Sequence, residues 1–457
     1  MSRLSLFTPL GLLLALPAVA QDLQPLLGDP VPGLSPANLA LFEAGKTTFL
    51  TNLLESEGAG PIFNETSCAA CHNFPTTGGF GTRAVTRFGI AAIGGNPFDP
   101  MAAEGGTLRQ DQSFDPACAE IVPLTATVTA MRQTPICFGA GLLEAVLETD
   151  ILAGEAAQGG LGLTGFARSF APIEGGAARS SRFGWKGGPS TVMSFSIDAS
   201  LNEMGLTSTF LPNENAPNGD AVLLAACDSV ADPEDAPDLG GFTRIERMTH
   251  FQAMLAAPPQ TPKNGMTGAT LFDTIGCADC HTPGYTTGVH SIPALSGVAI
   301  QPYTDFLIHD MGGLGDGIVD GPVSETEHLT RALWGLRHRS DLLHDGRANG
   351  GTPAQNVHDA ILFHGGEGQA SNDAYVALSG SDQALVQSFL LSLGQVEFDF
   401  ENDNDVDRFD WFFINPSFTG PVSSYTPDDA EAISDIDQDG HIDLREFGLL
   451  QRAWTGE

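Results

Sequence analysis

The sequence predicts a mainly α-helical chain: two like units with long loops, then a small helical module of different composition. Three features carry that expectation. A pentapeptide motif occurs twice, each time after a short helix-forming stretch. The region between the copies is rich in Gly, Pro and Asn and too long for a linker. Beyond the second unit comes an acidic internal repeat.

The chain opens on Met-Ser-Arg, an apolar stretch from Leu10 to Leu16 and the small residues Ala18-Val19-Ala20. That three-part layout predicts a secretory signal peptide over residues 1 to 20, cleaved near Ala20, and a periplasmic or secreted protein. No later segment has the roughly 18 continuous apolar residues of a membrane span. At 457 residues two or three domains are expected. The formal charge of -36 argues against nucleic acid or anionic membrane as partners and favours a cationic macromolecule or bound metal ions.

Ala44-Gly45-Lys46-Thr47-Thr48-Phe49 precedes Cys68-Ala69-Ala70-Cys71-His72, and Gly268-Ala269-Thr270-Leu271-Phe272 precedes Cys277-Ala278-Asp279-Cys280-His281. Two thiols at this spacing on a helical turn can add to the two vinyl groups of a haem while the adjacent His ligates the iron. Two covalently bound c-type haems are therefore expected, on two cytochrome c-like haem domains covering residues 21 to 257 and 258 to 396, with the break near Pro258-Pro259. The second should end on a helix from Ser381 to Leu393, where Leu385, Val386, Phe389, Leu390 and Leu393 recur at helical spacing before Gly394.

The sixth iron position separates catalysis from electron carriage. After His72 the next histidine is His250, so the first iron is closed by a methionine (Met101, Met131, Met193 or Met204), by a residue from elsewhere, or by nothing. An open iron suits peroxide activation, whereas a pure carrier keeps both positions filled. The second unit offers His290, His309, His328, His338, His344, His358 and His364.

The segments Tyr303 to Gly312, Arg331 to Arg337, Leu343 to Arg347 and Ala360 to Glu367, with Phe138 to Ala145 and Leu201 to Gly205 upstream, resemble the bacterial di-haem oxidoreductase family of peroxidase-like or thiol oxidoreductase-like enzymes. The resemblance spans roughly residues 40 to 393. More distantly, the chain is similar to di-haem cytochrome c peroxidases and the methylamine-utilisation di-haem enzyme. The resemblance implies Glu203, in Asn202-Glu203-Met204, as the acid-base carboxylate over the first haem. It implies His364 as an axial ligand of the second haem and Trp185 as a tryptophan between the haems. The sequence departs from the pattern in two places. Ser194 or Met193 stands where the peroxidases carry a glutamine, and the segment after His344 is longer, which makes His358 a rival of His364.

Residues 397 to 457 hold sixteen Asp or Glu against three Arg, and Asp399 to Gly420 repeats as Asp435 to Gly456. Asp435, Asp437, Asp439, His441, Asp443 and Glu446, with Gly440 at the sixth position, follow the ligand spacing of a calcium-binding EF-hand loop. Asp399, Glu401, Asp403, Asp405, Asp407 and Asp410 follow it in the first copy, with Asn404 at the glycine position. Paired loops each followed by one helix resemble dockerin-like repeats, which attach proteins to larger assemblies. Calcium, and packing of Trp411, Phe412 and Phe413 against Phe447, Leu449 and Leu450, are the expectations here.

The functional expectation is a peroxidase-like di-haem oxidoreductase in which electrons pass from the second haem to peroxide or a small oxidant at the first. A small redox protein, basic in charge, would be the electron donor or acceptor. The alternative is a non-catalytic electron-transfer cytochrome. Of the cysteines outside the motifs, Cys118 and Cys137 are expected to form a disulfide, leaving Cys227 free.

Overall fold

The computed structural model describes residues 23–260, 265–418, 420 and 424–455. The expected signal peptide, residues 1 to 20, lies outside them. Among the described residues thirteen α-helices account for most of the regular structure; 38% of the chain is helical and 11% is in short strands. Among the described residues no helix is long and apolar enough to cross a membrane.

Each haem-attachment motif follows a helix that crosses the last helix of its unit at a glycine. Helix α1 (Pro36–Leu50) starts at Ser35, whose side chain accepts from the Asn38 amide. It crosses α7 (Arg244–Met254) at Gly45, where a Cβ would come within 2.3 Å of the Arg247 carbonyl oxygen. One turn on, Phe49 packs on Phe251 at 4.9 Å between ring centroids. The second unit repeats the arrangement. A Cβ at Gly268 of α8 (Thr267–Thr274) would meet the Leu385 carbonyl at 2.1 Å on α11 (Gly380–Ser392), and Phe272 packs on Phe389 at 5.4 Å. Helix α11 matches the stretch in which helical spacing was expected.

Between these helix pairs lie α2 (Cys68–Cys71), α3 (Ala140–Glu144), α4 (Glu148–Leu161), α5 (Val192–Met204) and α6 (Ala221–Cys227) of the first unit, and α9 (Pro353–Leu362) and α10 (Gln369–Ala377) of the second. A three-stranded antiparallel sheet, in the order Leu108–Arg109, Ala84–Gly89, Val128–Gln133, stands beside the first motif. Alternation puts Val85 and Arg87 on one face, with Arg132 paired opposite Val85. The apolar interior does not stop near Pro258. Leu142, Leu143, Ile151 and Phe183 share one buried cluster with Leu295, Phe306, Leu307 and Trp334.

Helices α12 (Arg408–Ile414) and α13 (Leu444–Ala453) each follow one acidic loop and share a separate small core of Phe398, Val406, Ile414, Ile436, Ile442 and Leu450. Trp411 and Phe447 meet there at 5.9 Å, as expected. Phe412 and Phe413 do not join them: they are 69% and 59% exposed, because α12 turns its opposite face inward.

The disulfide also differs from expectation. Cys118 is bonded to Cys227, across 109 residues, and Cys137 is the free thiol. Closeness along the chain favoured Cys137, but the fold carries that residue into the core beside His72, with its Sγ 3.4 Å from the His72 Nδ1.

Candidate active site

Ser67 caps the single turn of α2, accepting from the Ala70 amide and so holding Cys68 and Cys71 three residues apart on one face. His72 follows directly. Its Nδ1 lies 3.2 Å from the Gly79 carbonyl, which places the proton on Nδ1 and leaves the Nε2 lone pair free. Burial holds its pKa down at about 4, so the ring is neutral at neutral pH.

Cys68, Cys71 and His72 line a cavity of about 430 Å³, within the size range of cofactor sites. The same cavity is bordered by Arg87, Gln110, Asp198, Glu203 and Trp185. Glu203 sits in the last turn of α5. Gly205 ends that helix in the left-handed region, at φ +70°, and a Cβ there would meet the Gly60 carbonyl at 2.5 Å. Glu203 Oε2 accepts a 2.6 Å hydrogen bond from the Asn64 side chain. Burial raises the Glu203 pKa, against the opposing hydrogen bond from Asn64 and the nearby Arg87. Asp198, five residues earlier and also raised by burial, is a further cavity carboxylate that sequence reasoning did not find, as are Glu65 and Asp320.

His72 is the one histidine among the residues bordering this cavity. Of the four methionines considered as iron ligands, Met204 borders it and Met101, Met131 and Met193 do not. Met248, not considered, also borders it, with Sδ 3.3 Å from the Cys68 thiol.

Trp185 donates from Nε1 to the Gln133 carbonyl at 2.8 Å. Two guanidiniums face its ring, Arg331 at 5.5 Å and Arg339 at 5.3 Å, and the His344 ring meets its edge at 6.2 Å. Trp185 therefore joins the first cavity to the second unit. Burial lowers both Arg331 and Arg339 to about 10. Among the described residues neither of them, nor Arg87, has a salt-bridge partner, and the Nε of Arg87 is buried without a hydrogen bond. Arg87 has the Glu203 and Asp198 carboxylates near it; Arg331 and Arg339, desolvated and without an ion-pair partner, suit a group that brings its own anions, as a haem does through its propionates. The thiols, the free imidazole nitrogen, the cavity and these cations all fit that cofactor.

The second motif has the same local logic. Cys277–Asp279 form one tight turn, and His281 Nδ1 lies 3.0 Å from the Tyr303 carbonyl, again leaving Nε2 free. Tyr303 holds φ +55°, an uncommon conformation for a bulky residue that aims its carbonyl at the ring. His364 has the matching arrangement, with Nδ1 2.8 Å from the Ala360 carbonyl and its own carbonyl held by Asn372 at 2.9 Å. It is close enough to His281 to lower that residue's pKa, which burial chiefly brings to about 4. His358 instead engages the Tyr375 hydroxyl through Nδ1 at 3.0 Å.

The other histidines differ in how far they are engaged: both ring nitrogens of His309 are bonded, whereas neither ring nitrogen of His328 has a hydrogen-bond partner. His309 is bonded through Nε2 to Asp305 at 2.9 Å and through Nδ1 to Glu367 at 2.7 Å. Burial would lower its pKa, but the bond to Asp305 and the neighbouring Cys280 raise it to about 11. His328 and His344 stack at 4.3 Å, both kept neutral by burial.

Sequence reasoning also missed the hub between the units. Asp316, in an unremarked Gly-Asp-Gly, takes Arg132 at 2.8 Å and Lys186 at 3.2 Å from the first unit, all three buried. Burial raises its pKa, but the two cations bring it down to about 2.

In the acidic tail, Glu401, Asp407 and Asp410 bring carboxylate oxygens within 4.8 Å of one another, as do Asp435, Asp437 and Glu446. Asp399 accepts from the amides of Asn402 and Asn404, and Asp435 from those of Asp439 and Gly440. Asp407 and Asp443 cap α12 and α13. Asp403, Asp405 and His441 are outside the two oxygen clusters, and Asp439 meets Asp435 and Asp437 only through its amide.

A sequence profile described as "Di-haem oxidoreductase, putative peroxidase" matches residues 123–393, more than half of the chain. The chain belongs to the di-haem oxidoreductase family. The matched residues hold Trp185, Glu203, the second haem motif and His364, while the first motif precedes them. A solved structure of Kuenenia stuttgartiensis hydrazine synthase under xenon pressure aligns over 86% of this chain and 98% of that one, at 13% identity and a TM-score of 0.37. No curated protein matches the sequence.

Proposed function

We propose that this di-haem oxidoreductase reduces peroxide, or a like small oxidant, over the first motif, with electrons supplied through the second. The observation that carries this reading is the cavity of about 430 Å³ that contains one histidine, His72, together with the buried carboxylate of Glu203. At the second motif two histidines, His281 and His364, each keep Nε2 free, as a site closed on both sides requires.

A haem at each motif supplies the electron storage and the oxygen affinity. The chain supplies proton handling and position. Glu203 takes the proton from one peroxide oxygen and returns it to the other, which departs as water. Asn64 fixes the orientation of Glu203. Two electrons and two protons convert hydrogen peroxide to two waters, the electrons coming from a small external redox protein. Trp185 borders the cavity and meets His344, so it would lie on the route between the two cofactors.

Met204 and Met248 favour a second reading. Either sulfur could close the first iron and leave a pure electron carrier. The optical spectrum of the oxidised protein, with and without peroxide, separates the two. The peroxidase reading expects an open first iron, a peroxide-dependent spectral change, and turnover that falls about a hundredfold in Glu203→Gln with haem content intact. Two closed irons with no response to peroxide would establish the carrier.

The acidic tail is read as a calcium module of the dockerin-like kind, attaching the enzyme to an assembly partner. The whole protein is read as exported, with the Cys118–Cys227 bridge in keeping with an oxidising compartment.

A further inference from the structure

Helix α5 leads into a long segment, residues 206 to 243, whose only helical parts are α6 and one turn at Pro217–Gly219. Segments of this length in a compact domain need anchors. Cys227 ties the middle to Cys118, but the return from Asp228 to Glu234 is held largely through carboxylates.

Three of these converge. Glu214, Asp232 and Glu234 bring one oxygen each within 4.8 Å of one another, and Asp228 adds a fourth negative charge. Among the described residues no salt bridge reaches any of the three, and no cation figures among the main influences on Glu214 or Glu234. Donors are also scarce. The Thr207 hydroxyl lies 3.0 Å from Asp232 Oδ1 and in contact with Glu234 Oε2, yet it has one proton. The Thr207 amide donates to Glu234 at 3.0 Å.

A second observation points to a ligand. Both carboxylate oxygens of Glu214 are shielded from solvent, and neither has a hydrogen-bond partner. A desolvated carboxylate facing other carboxylates is among the costliest arrangements a fold can hold. Burial and then its acidic neighbours push Glu214 up to about 10, and a bound cation would relieve both effects.

We propose that Glu214, Asp232 and Glu234 bind a calcium ion that fastens the returning segment to the exit of α5. All the donors are oxygen, which selects a hard cation over zinc or copper. Calcium also gives up its water more readily than magnesium, which suits a shielded set of carboxylates. Thr207 lies four residues beyond Glu203, so the ion would brace the helix end that carries that carboxylate. The site does not depend on the peroxidase reading and is distinct from both loops of the acidic tail.

The test uses the full, haem-loaded chain, stripped with chelator and titrated with calcium, with bound calcium counted per chain. Glu214→Gln and, at a more exposed position, Asp232→Asn should each lose one ion per chain or bind it at least tenfold more weakly. Asp435→Ala, in the tail, should retain it. Hydrogen exchange in peptides spanning residues 206 to 243 should slow on adding calcium to the wild-type chain and to Asp435→Ala, and in neither site variant. Peptides indifferent to calcium in the wild type, or slowing that persists in both site variants, overturn the proposal.

Discussion

Asn64 donates a 2.6 Å hydrogen bond to Glu203, joining the segment just before the first haem motif to the last turn of α5, 139 residues away. The bond favours the charged carboxylate, whereas burial favours the neutral acid, and burial prevails. As the proton acceptor, Glu203 must be ionised. The peroxide-driven rate should therefore rise with pH through a pKa above the ordinary glutamate range of about 4.3. Asn64→Ala removes a stabiliser of the ionised form and should move that acid limb to still higher pH, while Asp198→Asn removes a neighbouring negative charge and should move it to lower pH. A pH–rate profile for each variant is the measurement. An acid limb abolished by Asp198→Asn and unmoved by Asn64→Ala would transfer the acid-base role to Asp198.

His364 and His358 lie on the same stretch of chain but face different partners. His364 gives Nδ1 to the Ala360 carbonyl, and His358 engages Tyr375. In the ferric protein, His364→Ala should convert one haem from low spin to high spin, visible in optical and paramagnetic resonance spectra, and His358→Ala should convert none. The reverse pattern would make His358 the ligand.

Asp316 neutralises Arg132 and Lys186 at the junction of the two units. Asp316→Asn leaves two buried cations without a carboxylate and should cost about 3–5 kcal/mol of stability, read as a lowered denaturation midpoint. The folded-state pKa of Asp316 is lowered to about 2 from 3.8, so its contribution is present above the unfolded value and is lost as pH falls through this window. The wild-type chain should therefore lose stability between about pH 4 and 2 more steeply than the variant. Parallel acid-denaturation curves would remove Asp316 from that role.

What the sequence made legible was local. Both haem motifs, the helices that precede them and α11 depend on residues within a few turns of each other, so spacing was enough to find them. The sheet carrying Arg87 and Arg132 was not anticipated, because Val-Thr-Arg-Phe and Val-Thr-Ala-Met-Arg are short runs whose pairing depends on chain 40 residues apart. The same limit hid Asp316, whose partners Arg132 and Lys186 are 184 and 130 residues away. The free thiol was misplaced for a related reason: which cysteine reaches Cys118 is settled by where the 206 to 243 segment returns. His364 was singled out only through resemblance, since seven histidines are available and the hydrogen bond from its Nδ1 to Ala360 cannot be read from spacing.

The acidic tail should depend on calcium for its order. Its two loops crowd carboxylates, and burial together with Asp410 and Asp403 raises Asp399 to about 6. In the second loop Arg445 is paired with Asp437. A core of six buried apolar residues is small for a self-standing module, and repulsion within each loop opposes it. Calcium would remove that repulsion and convert binding energy into folding energy. In the full chain, hydrogen exchange over residues 398 to 418 and 430 to 455 should accelerate on adding chelator and recover with calcium. The haem units, whose cores lie elsewhere, should stay protected. Asp435→Ala should blunt the recovery in the second loop and α13. Because Asp399 must be ionised to bind, calcium affinity at the first loop should fall as pH drops toward 6. Protection that ignores chelator at every pH would mean that α12 and α13 pack without metal, and that the carboxylates serve another partner.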